Sequence, residues 1–349
     1  MKKIFLLICV VSLITSCAFL DWLLDSSESD NNTGGNSSNT DGNNSNTDGD
    51  PVIITENDEQ RMAEMKRRYA AIPKSFPNFF TVVPTTSPYN AGKVKPEVLQ
   101  AGLDSLNLMR YIARLPDDIV LDDTQTDKCQ HGAVLLTVLN QLTHFPEKPA
   151  DMPQAFFDKG ADALATSNLA GYNTPHMAIE AFMSDEDTAN RVSVGHRRRI
   201  LNPSMKKTGF GVGAARFFVQ YATDSSRETD VNMDYVAWPA PGLFPSTFAT
   251  GAWHITANTE KYGRPDIDKV KVIMRHVNSG RECVMSKDSL PQYAYFNVYY
   301  RGIYDHAVIF SPVFGDLDLF YLPGNEFQIT VTGLKEDIHY TVKLFNIEQ

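Results

Sequence analysis

The strongest constraint on the fold is a change in the spacing of apolar residues near position 230. Before it, apolar residues recur at helical spacing, and Pro96–Tyr111 and Asp122–Leu142 are the longest examples. After it, short apolar segments are bounded by glycine and proline, which is typical of β-strands. We therefore expect an α+β chain with two folded units that meet near Ser226–Val236. A length of 349 residues fits two domains.

Several shorter elements are predicted in the first part of the chain. Thr55–Ala71 begins with a Thr-x-x-Asp cap and reads as a lead-in helix, and the proline-rich Pro73–Tyr89 reads as an extended strap. We assign 55–95 to this helix and strap. Met177–Met183 has helical spacing, whereas Gly209–Tyr221 has the alternation of strands.

The second unit, 236–349, is predicted to be all-β. About seven short strands in a little over a hundred residues match the size and rhythm of a β-sandwich. The clearest strand segments are Trp253–Ala257, Lys269–Met274, Tyr293–Tyr300, Ala307–Phe310, Phe327–Thr332 and Tyr340–Phe345.

The N-terminus has the pattern of a bacterial lipoprotein. Lys2 and Lys3 precede an apolar run, Ile4–Ile14, that is too short to span a bilayer comfortably, so 1–16 reads as a signal peptide. The run ends in Ile-Thr-Ser-Cys17, which resembles a lipobox. This resemblance implies cleavage before Cys17 and acylation of that residue, and hence a membrane partner and a location in the cell envelope.

A polar spacer follows the predicted lipid anchor. Ser26–Asp50 has no apolar residue and repeats Asn-Thr-Asp-Gly, so it cannot bury enough surface to fold. We predict that 17–54 is a lipidated cysteine followed by a disordered tether.

Composition excludes two classes of protein. A hydrophobic content of 42% excludes disorder of the whole chain, and a formal net charge of −10 argues against a nucleic-acid partner. Cys129 and Cys283 remain once Cys9 and Cys17 are accounted for. They are either two buried free thiols or one disulfide between the units, and we expect free thiols.

Three blocks of the first unit carry candidate functional residues. The first is a helix end that leads into Thr-His144-Phe-Pro, and the second is Thr-Ser167-Asn168-Leu-Ala. The third begins at Ala181-Phe-Met-Ser-Asp-Glu and continues after a gap as Gly-His196-Arg-Arg-Arg-Ile-Leu-Asn-Pro, before a Gly-x-Gly-x-Gly strand that ends at Gly213.

These blocks resemble the CAP superfamily, also called SCP-like or cysteine-rich secretory, antigen 5 and pathogenesis-related 1 proteins. The resemblance covers roughly Val98 to Tyr221, and its most specific part is Gly195–Gly213. It implies a three-layer α-β-α sandwich, which we assign to 96–226. The strand-rich tail resembles the extra domain that follows CAP domains in some secreted bacterial relatives.

The family cleft brings together two histidines and two acids that can hold a divalent cation such as zinc. The resemblance implies that His144 and His196 are the two histidines and that both could be metal ligands. This chain has Ser167 where the family has its first acid. The cleft candidates are His144, His196, Ser167, Asn168, Asp185 and Glu186. Because serine has no charge to offset a dication, we expect weak or no zinc binding.

Simpler roles exist for the same residues. His144 near a helix end could interact with the helix dipole, and His196 could belong to a solvated basic turn. Arg197–Arg199 would then pair with the many acidic side chains or, alternatively, bind phosphate or lipid headgroups.

Three functions are compatible with the sequence. The first is a non-catalytic binding module for a lipid, glycan or protein ligand, which the loss of the first acid favours. The second is a metal-dependent hydrolase that uses the His144 and His196 cleft. The third is a structural envelope protein or adhesin that acts through the β unit.

Overall fold

The computed structural model describes 56–172, 174–213, 217–229, 231, 233–300, 306–314 and 321–349. The signal peptide, Cys17 and the tether lie outside these ranges, so their predictions stay predictions. Within these ranges no helix has the length and apolar character needed to cross a membrane.

The described helices are α1 (Glu56–Ala71), α2 (Pro96–Ile112), α3 (Asp123–Leu139), α4 (Gln154–Ala165), α5 (Pro175–Ser184), α6 (Gly195–Ile200) and α7 (Thr259–Tyr262). Local signals set their ends. The Asp122 carboxylate accepts a hydrogen bond from the Gln125 backbone N–H at 3.0 Å and caps α3, and Asn140 ends that helix in the left-handed conformation. The structure confirms the helices predicted from periodicity. α4 was not predicted.

The described strands before residue 230 are β1 (Phe80–Val82), β2 (Thr85–Thr86), β3 (Tyr89–Asn90), β4 (Lys93–Val94), β5 (Val120–Leu121), β6 (Ser167–Ala170), β7 (Lys207–Thr208), β8 (Phe210–Val212) and β9 (Phe218–Tyr221). β6, β9 and β8 form a three-stranded antiparallel sheet in that order. The remaining strands form two-stranded pairs, β1 with β4, β2 with β3 and β5 with β7.

Helices cover both faces of the three-stranded sheet. On one face Leu169 belongs to a core cluster with Cys129 of α3. On the other face Phe218 contacts Phe182 of α5, with ring centroids 6.4 Å apart. α3 lies so close to β8 that a Cβ atom at Gly211 would be 2.0 Å from the Cys129 carbonyl oxygen, so only glycine fits there.

The second unit contains two sheets. Their strands are β10 (Tyr235–Trp238), β11 (Gly242–Pro245), β12 (Trp253–Ala257), β13 (Lys271–His276), β14 (Glu282–Met285), β15 (Tyr295–Tyr299), β16 (Ala307–Ser311), β17 (Glu326–Thr332) and β18 (Ile338–Phe345). One sheet has the order β10-β12-β16-β15 and the other β11-β18-β17-β13-β14. The Trp253 ring of the first sheet packs edge to face on the Phe327 ring of the second, with ring centroids 5.5 Å apart. The six strand segments predicted from sequence are confirmed.

The two units share a hydrophobic core. One cluster of buried residues contains Ile112 and Phe182 from the helical unit together with Trp238, Phe248 and Trp253 from the β unit. Because these side chains leave water together, we expect the units to unfold together. The boundaries 96–226 and 236–349 stay predictions.

The segment between α5 and α6, Asp187–Val194, docks on the four-stranded sheet. The Asn297 side-chain amide donates to the Val192 carbonyl at 2.8 Å, and the Arg191 guanidinium lies over the Tyr295 ring at 4.5 Å. This segment belongs to the stretch that separates the two family-like blocks in the sequence. The stretch therefore contributes to the contact between the two units.

Candidate functional site

His144 lies after α3 and is held by the end of α4. Its Nδ1–H donates to the Leu164 carbonyl at 2.7 Å, and only 6% of the residue is exposed. The pKa of His144 is lowered to about 4, chiefly by burial, while the Leu164 carbonyl opposes this shift and electrostatic interactions with His196 and Arg199 add to it. His144 is therefore neutral at neutral pH and lies within electrostatic range of His196.

His196 lies in the first turn of α6 and has no exposed surface. Its Nδ1–H donates to Asp185 Oδ1 at 2.6 Å, and its ring stacks on Phe182 with centroids 5.1 Å apart. Asp185 is equally buried, and its second oxygen accepts from the Arg197 backbone N–H at 3.1 Å. The histidine and the carboxylate thus form a dyad within the core.

The structure separates the two acidic candidates of the third block. Asp185 follows the last residue of α5 in the left-handed conformation, with φ 46°, and this turn directs its side chain inward to His196. Glu186, the next residue, is exposed to solvent. Only Asp185 partners a histidine.

Ser167 and Asn168 lie on opposite faces of β6. The Asn168 side-chain amide donates to the His196 carbonyl at 3.2 Å and to Gln220 Oε1 at 2.9 Å. Ser167 instead faces Cys129, with Oγ and Sγ 3.8 Å apart. Strand alternation therefore places Asn168 beside His196, whereas Ser167, also expected in the cleft, faces α3 instead. We call His144, His196, Asp185 and Asn168 the histidine centre.

The residues of the histidine centre do not fit a zinc ion. A structural or catalytic zinc takes at least three protein ligands, and the described ranges contain no group of three or more His, Cys, Asp and Glu side chains that could hold a metal. The Nδ1 atoms of His144 and His196 are bonded to a carbonyl and a carboxylate, so each ring could offer only its Nε2 atom to a cation, and Ser167 supplies no third, charged ligand.

Arg197 connects the histidine centre to the β unit. This fully buried guanidinium donates to the Met183 carbonyl, to the Ser184 carbonyl at 2.6 Å and to the Ala252 carbonyl at 2.5 Å. Burial lowers its pKa to about 10, while the nearby Asp185 charge raises it, so Arg197 stays charged at neutral pH. Sequence analysis predicted that this arginine pairs with acids, but its side chain donates to backbone carbonyls.

The described cysteines offer no reactive thiol. Cys129 and Cys283 are buried and unbonded to each other, which confirms the expectation of free thiols. Burial raises the pKa of Cys129 to about 12, so this side chain stays protonated and poorly nucleophilic at neutral pH.

An open groove runs past the C-terminal end of α5, and we call it the α5 groove. It consists of three cavities of about 360, 330 and 90 Å³ that share lining residues. Glu186 lines the first and second, Glu180 and Ser184 line the second and third, and Thr250 lines the first and third. The two larger volumes lie in the range of small-molecule sites.

Glu186 is positioned by a glycine of the facing loop. Gly251 has φ +79°, and a Cβ atom there would lie 2.8 Å from Glu186 Cγ. The Glu186 side chain therefore lies directly against the Gly251 backbone. It has no hydrogen-bond or ion-pair partner among the described residues.

No family model, curated protein or solved structure matches the chain. The CAP resemblance therefore rests on the motif residues quoted above.

Sequence analysis missed the α5 groove and the role of Arg197. The groove residues come from α5, from the loop 247–252 and from Ser311 and Tyr321, which are far apart in the sequence. The only sequence signal for this region was the stretch that interrupts the family pattern before His196.

Proposed function

We propose that this protein is a non-catalytic binding module of the bacterial cell envelope, held at a membrane by acylated Cys17. Its first unit is a CAP-type α-β-α sandwich, and its second is a β-sandwich packed against the first. Helices on both faces of the β6-β9-β8 sheet and the Gly195–Gly213 block support the first assignment.

The observation that carries this proposal is the contrast in exposure between the histidine centre and the α5 groove. A general acid or base must come within hydrogen-bond distance of its substrate. His196 and Asp185 have no exposed surface, and Arg197 joins the same region to β12 through the Ala252 carbonyl. The dyad therefore orders the α5–α6 connection, and a ligand is bound in the α5 groove.

Hydrogen exchange on the full chain in detergent tests this location. Envelope material is separated into lipid, glycan and peptide fractions, and each fraction is added in turn. We expect one fraction to protect 177–187 and 247–252 and to leave 140–146 and 195–200 unchanged. Protection of the histidine segments instead, or turnover of any fraction that is lost in His196→Ala, would contradict the proposal.

A matched pair of tryptophan variants sharpens the test. Thr250→Trp fills the α5 groove from an exposed position and should abolish the protection. Gln100→Trp, exposed on α2, adds the same side chain away from the groove and should leave it intact.

The anchor is tested separately. Cys17→Ser should move the full chain from the membrane fraction to the soluble fraction, because acyl chains contribute about 0.8 kcal/mol per buried methylene. A variant that stays bound to the membrane and uncleaved would show that the N-terminal segment itself is the anchor.

A further inference from the structure

Two opposite charges line the largest cavity of the α5 groove without pairing with each other. Glu186 and Arg191 both line the cavity of about 360 Å³, and no ion pair joins them. The Arg191 guanidinium lies over Tyr295 at 4.5 Å, and its Nε atom is buried without a hydrogen-bond partner. A carboxylate without a hydrogen bond among the described residues and an incompletely bonded guanidinium therefore border the same space.

The fold holds these two charges in place. The Gly251 backbone packs directly against the Glu186 side chain and limits the positions that this side chain can take. Arg191 is fixed by its backbone N–H, which donates to the Asp187 carbonyl at 2.9 Å, and by the Tyr295 ring. Both charged residues lie in the connection between α5 and α6, and Arg191 belongs to its part that docks on the β unit.

The rest of the cavity comes from the β unit. Thr250, Ser311 and Tyr321 bring hydroxyl groups to its wall. The site is complete only where the two units meet, and ligand sites occur preferentially at such junctions. A wall with two charges and several hydroxyls is unsuited to a lipid tail, and it suits a compact polar ligand with charges of both signs.

We propose that this cavity binds a small zwitterion of the amino-acid and short-peptide class, with its ammonium against Glu186 and its carboxylate against Arg191. Guanidinium groups bind carboxylates through two parallel, charge-assisted hydrogen bonds, which are stronger than hydrogen bonds between neutral groups. The inference deepens the proposed function and rests on it.

Calorimetric titration of the full chain in detergent tests the inference with four probes. They are dialanine, N-acetyl-dialanine, dialanine amide and alanine. Dialanine should bind saturably, and loss of either terminal charge should weaken binding about tenfold or more, as expected for one charge-assisted contact of about 1.5–3 kcal/mol. Alanine that binds more tightly than dialanine would identify free amino acids as the source of the zwitterion and would support the inference.

Two substitutions assign each charge to its partner. In Glu186→Gln, dialanine and N-acetyl-dialanine should bind equally, because the ammonium has lost its partner. In Arg191→Gln, dialanine and its amide should bind equally, and Arg191→Lys, which keeps the charge, should restore part of the difference. Glu180→Gln is the matched control, because Glu180 lines the two neighbouring cavities and not this one.

The inference falls if all four probes bind equally or if none binds at millimolar concentration. It also falls if Glu180→Gln weakens dialanine as much as Glu186→Gln. Protection of the α5 groove by an envelope fraction, with no binding of the probes, would overturn this inference and leave the proposed function standing. Failure of every fraction and every probe would overturn both.

Discussion

Asp185 and Glu186 are adjacent in the chain, yet they belong to two regions with opposite properties. Asp185 belongs to the histidine centre, where it accepts from His196 and has no exposed surface. Glu186 lies in the α5 groove, exposed and without a hydrogen-bond partner among the described residues. The comparison teaches that one step along the chain at a helix end separates an enclosed histidine–carboxylate dyad from an open surface.

Arg197 links the histidine centre to the β unit. Its guanidinium donates to carbonyls of α5 and of the loop before β12, so it ties the helix end that precedes Asp185 to the second unit.

The largest effect should come from Arg197→Met. It removes the charged donor from three buried carbonyls and leaves the buried Asp185 without its neighbouring positive charge, so the free energy of unfolding should fall by about 4–5 kcal/mol. Urea unfolding of the full chain measures this. Arg67→Met is the control, since 67% of the Arg67 side chain is exposed. Equal stability of the two variants would show that Arg197 does not join the units.

The neighbouring acids provide the most direct comparison. Asp185→Asn removes the anionic acceptor of the His196 and Arg197 hydrogen bonds and should lower the free energy of unfolding by about 3 kcal/mol. Glu186→Gln should change it by less than about 0.5 kcal/mol, because an exposed side chain without partners contributes little. Both values follow from urea unfolding at pH 7. A similar loss in both variants would contradict the division between buried centre and open groove.

Stability should depend on pH through the buried histidines. The pKa of His144 falls from 6.5 in the unfolded chain to about 4 in the fold, so between these values the unfolded chain binds more protons. Lowering the pH from 6.5 to 4 should therefore remove roughly 2–3 kcal/mol of stability through this residue alone. Burial also lowers the pKa of His254 well below its usual value, which acts in the same direction.

Chemical unfolding at several pH values measures this dependence. His144→Gln should flatten the stability profile between pH 6.5 and pH 4. His339→Gln, at an exposed position of β18, should leave the profile as it is in the unaltered chain. An unchanged slope in His144→Gln would mean that His144 titrates normally and is not enclosed.

The smallest effect concerns the loop beneath Glu186. Gly251→Ala should lower the free energy of unfolding by about 1–2 kcal/mol for its left-handed backbone. Gly280→Ala is the matched control, because Gly280 has φ +71° and a Cβ there meets nothing within 4 Å. Urea unfolding measures both variants. If Gly251→Ala lowers the free energy of unfolding more than Gly280→Ala does, the excess is due to the contact with Glu186. Identical losses in the two variants would mean that Gly251 does not position this side chain.

Local patterns were sufficient to predict most elements of the fold. The lead-in helix, α2, α3 and α5 follow from apolar spacing and from caps, both of which act within a few residues. The long strands of the second unit follow from alternation for the same reason. The sequence does not predict α4 (Gln154–Ala165), because no side chain caps this helix and its buried residues are mostly small, Gly160 and Ala163 beside Leu164.

The candidate site was predictable only in part. Motif spacing singled out His144, His196 and Asn168, and the structure buries both histidines and bonds Asn168 to the His196 backbone. Motif spacing could not show that the Ser167 side chain faces Cys129 and not His196, because the face that each residue occupies depends on where β6 begins. A strand shifted by one residue would exchange the faces of Ser167 and Asn168.

The sequence by itself determined the mixed α+β class, most of the longer helices and strands, and the histidine-bearing blocks of the first unit. It did so because these features depend on neighbours a few positions apart. The tertiary structure alone decided which of the candidate side chains are buried and which are exposed to solvent. Burial of Asp185 and exposure of Glu186 depend on a left-handed residue at a helix end and on a β unit that docks more than fifty positions later in the chain. Such contacts are set by the packing of the whole core, which no local pattern encodes.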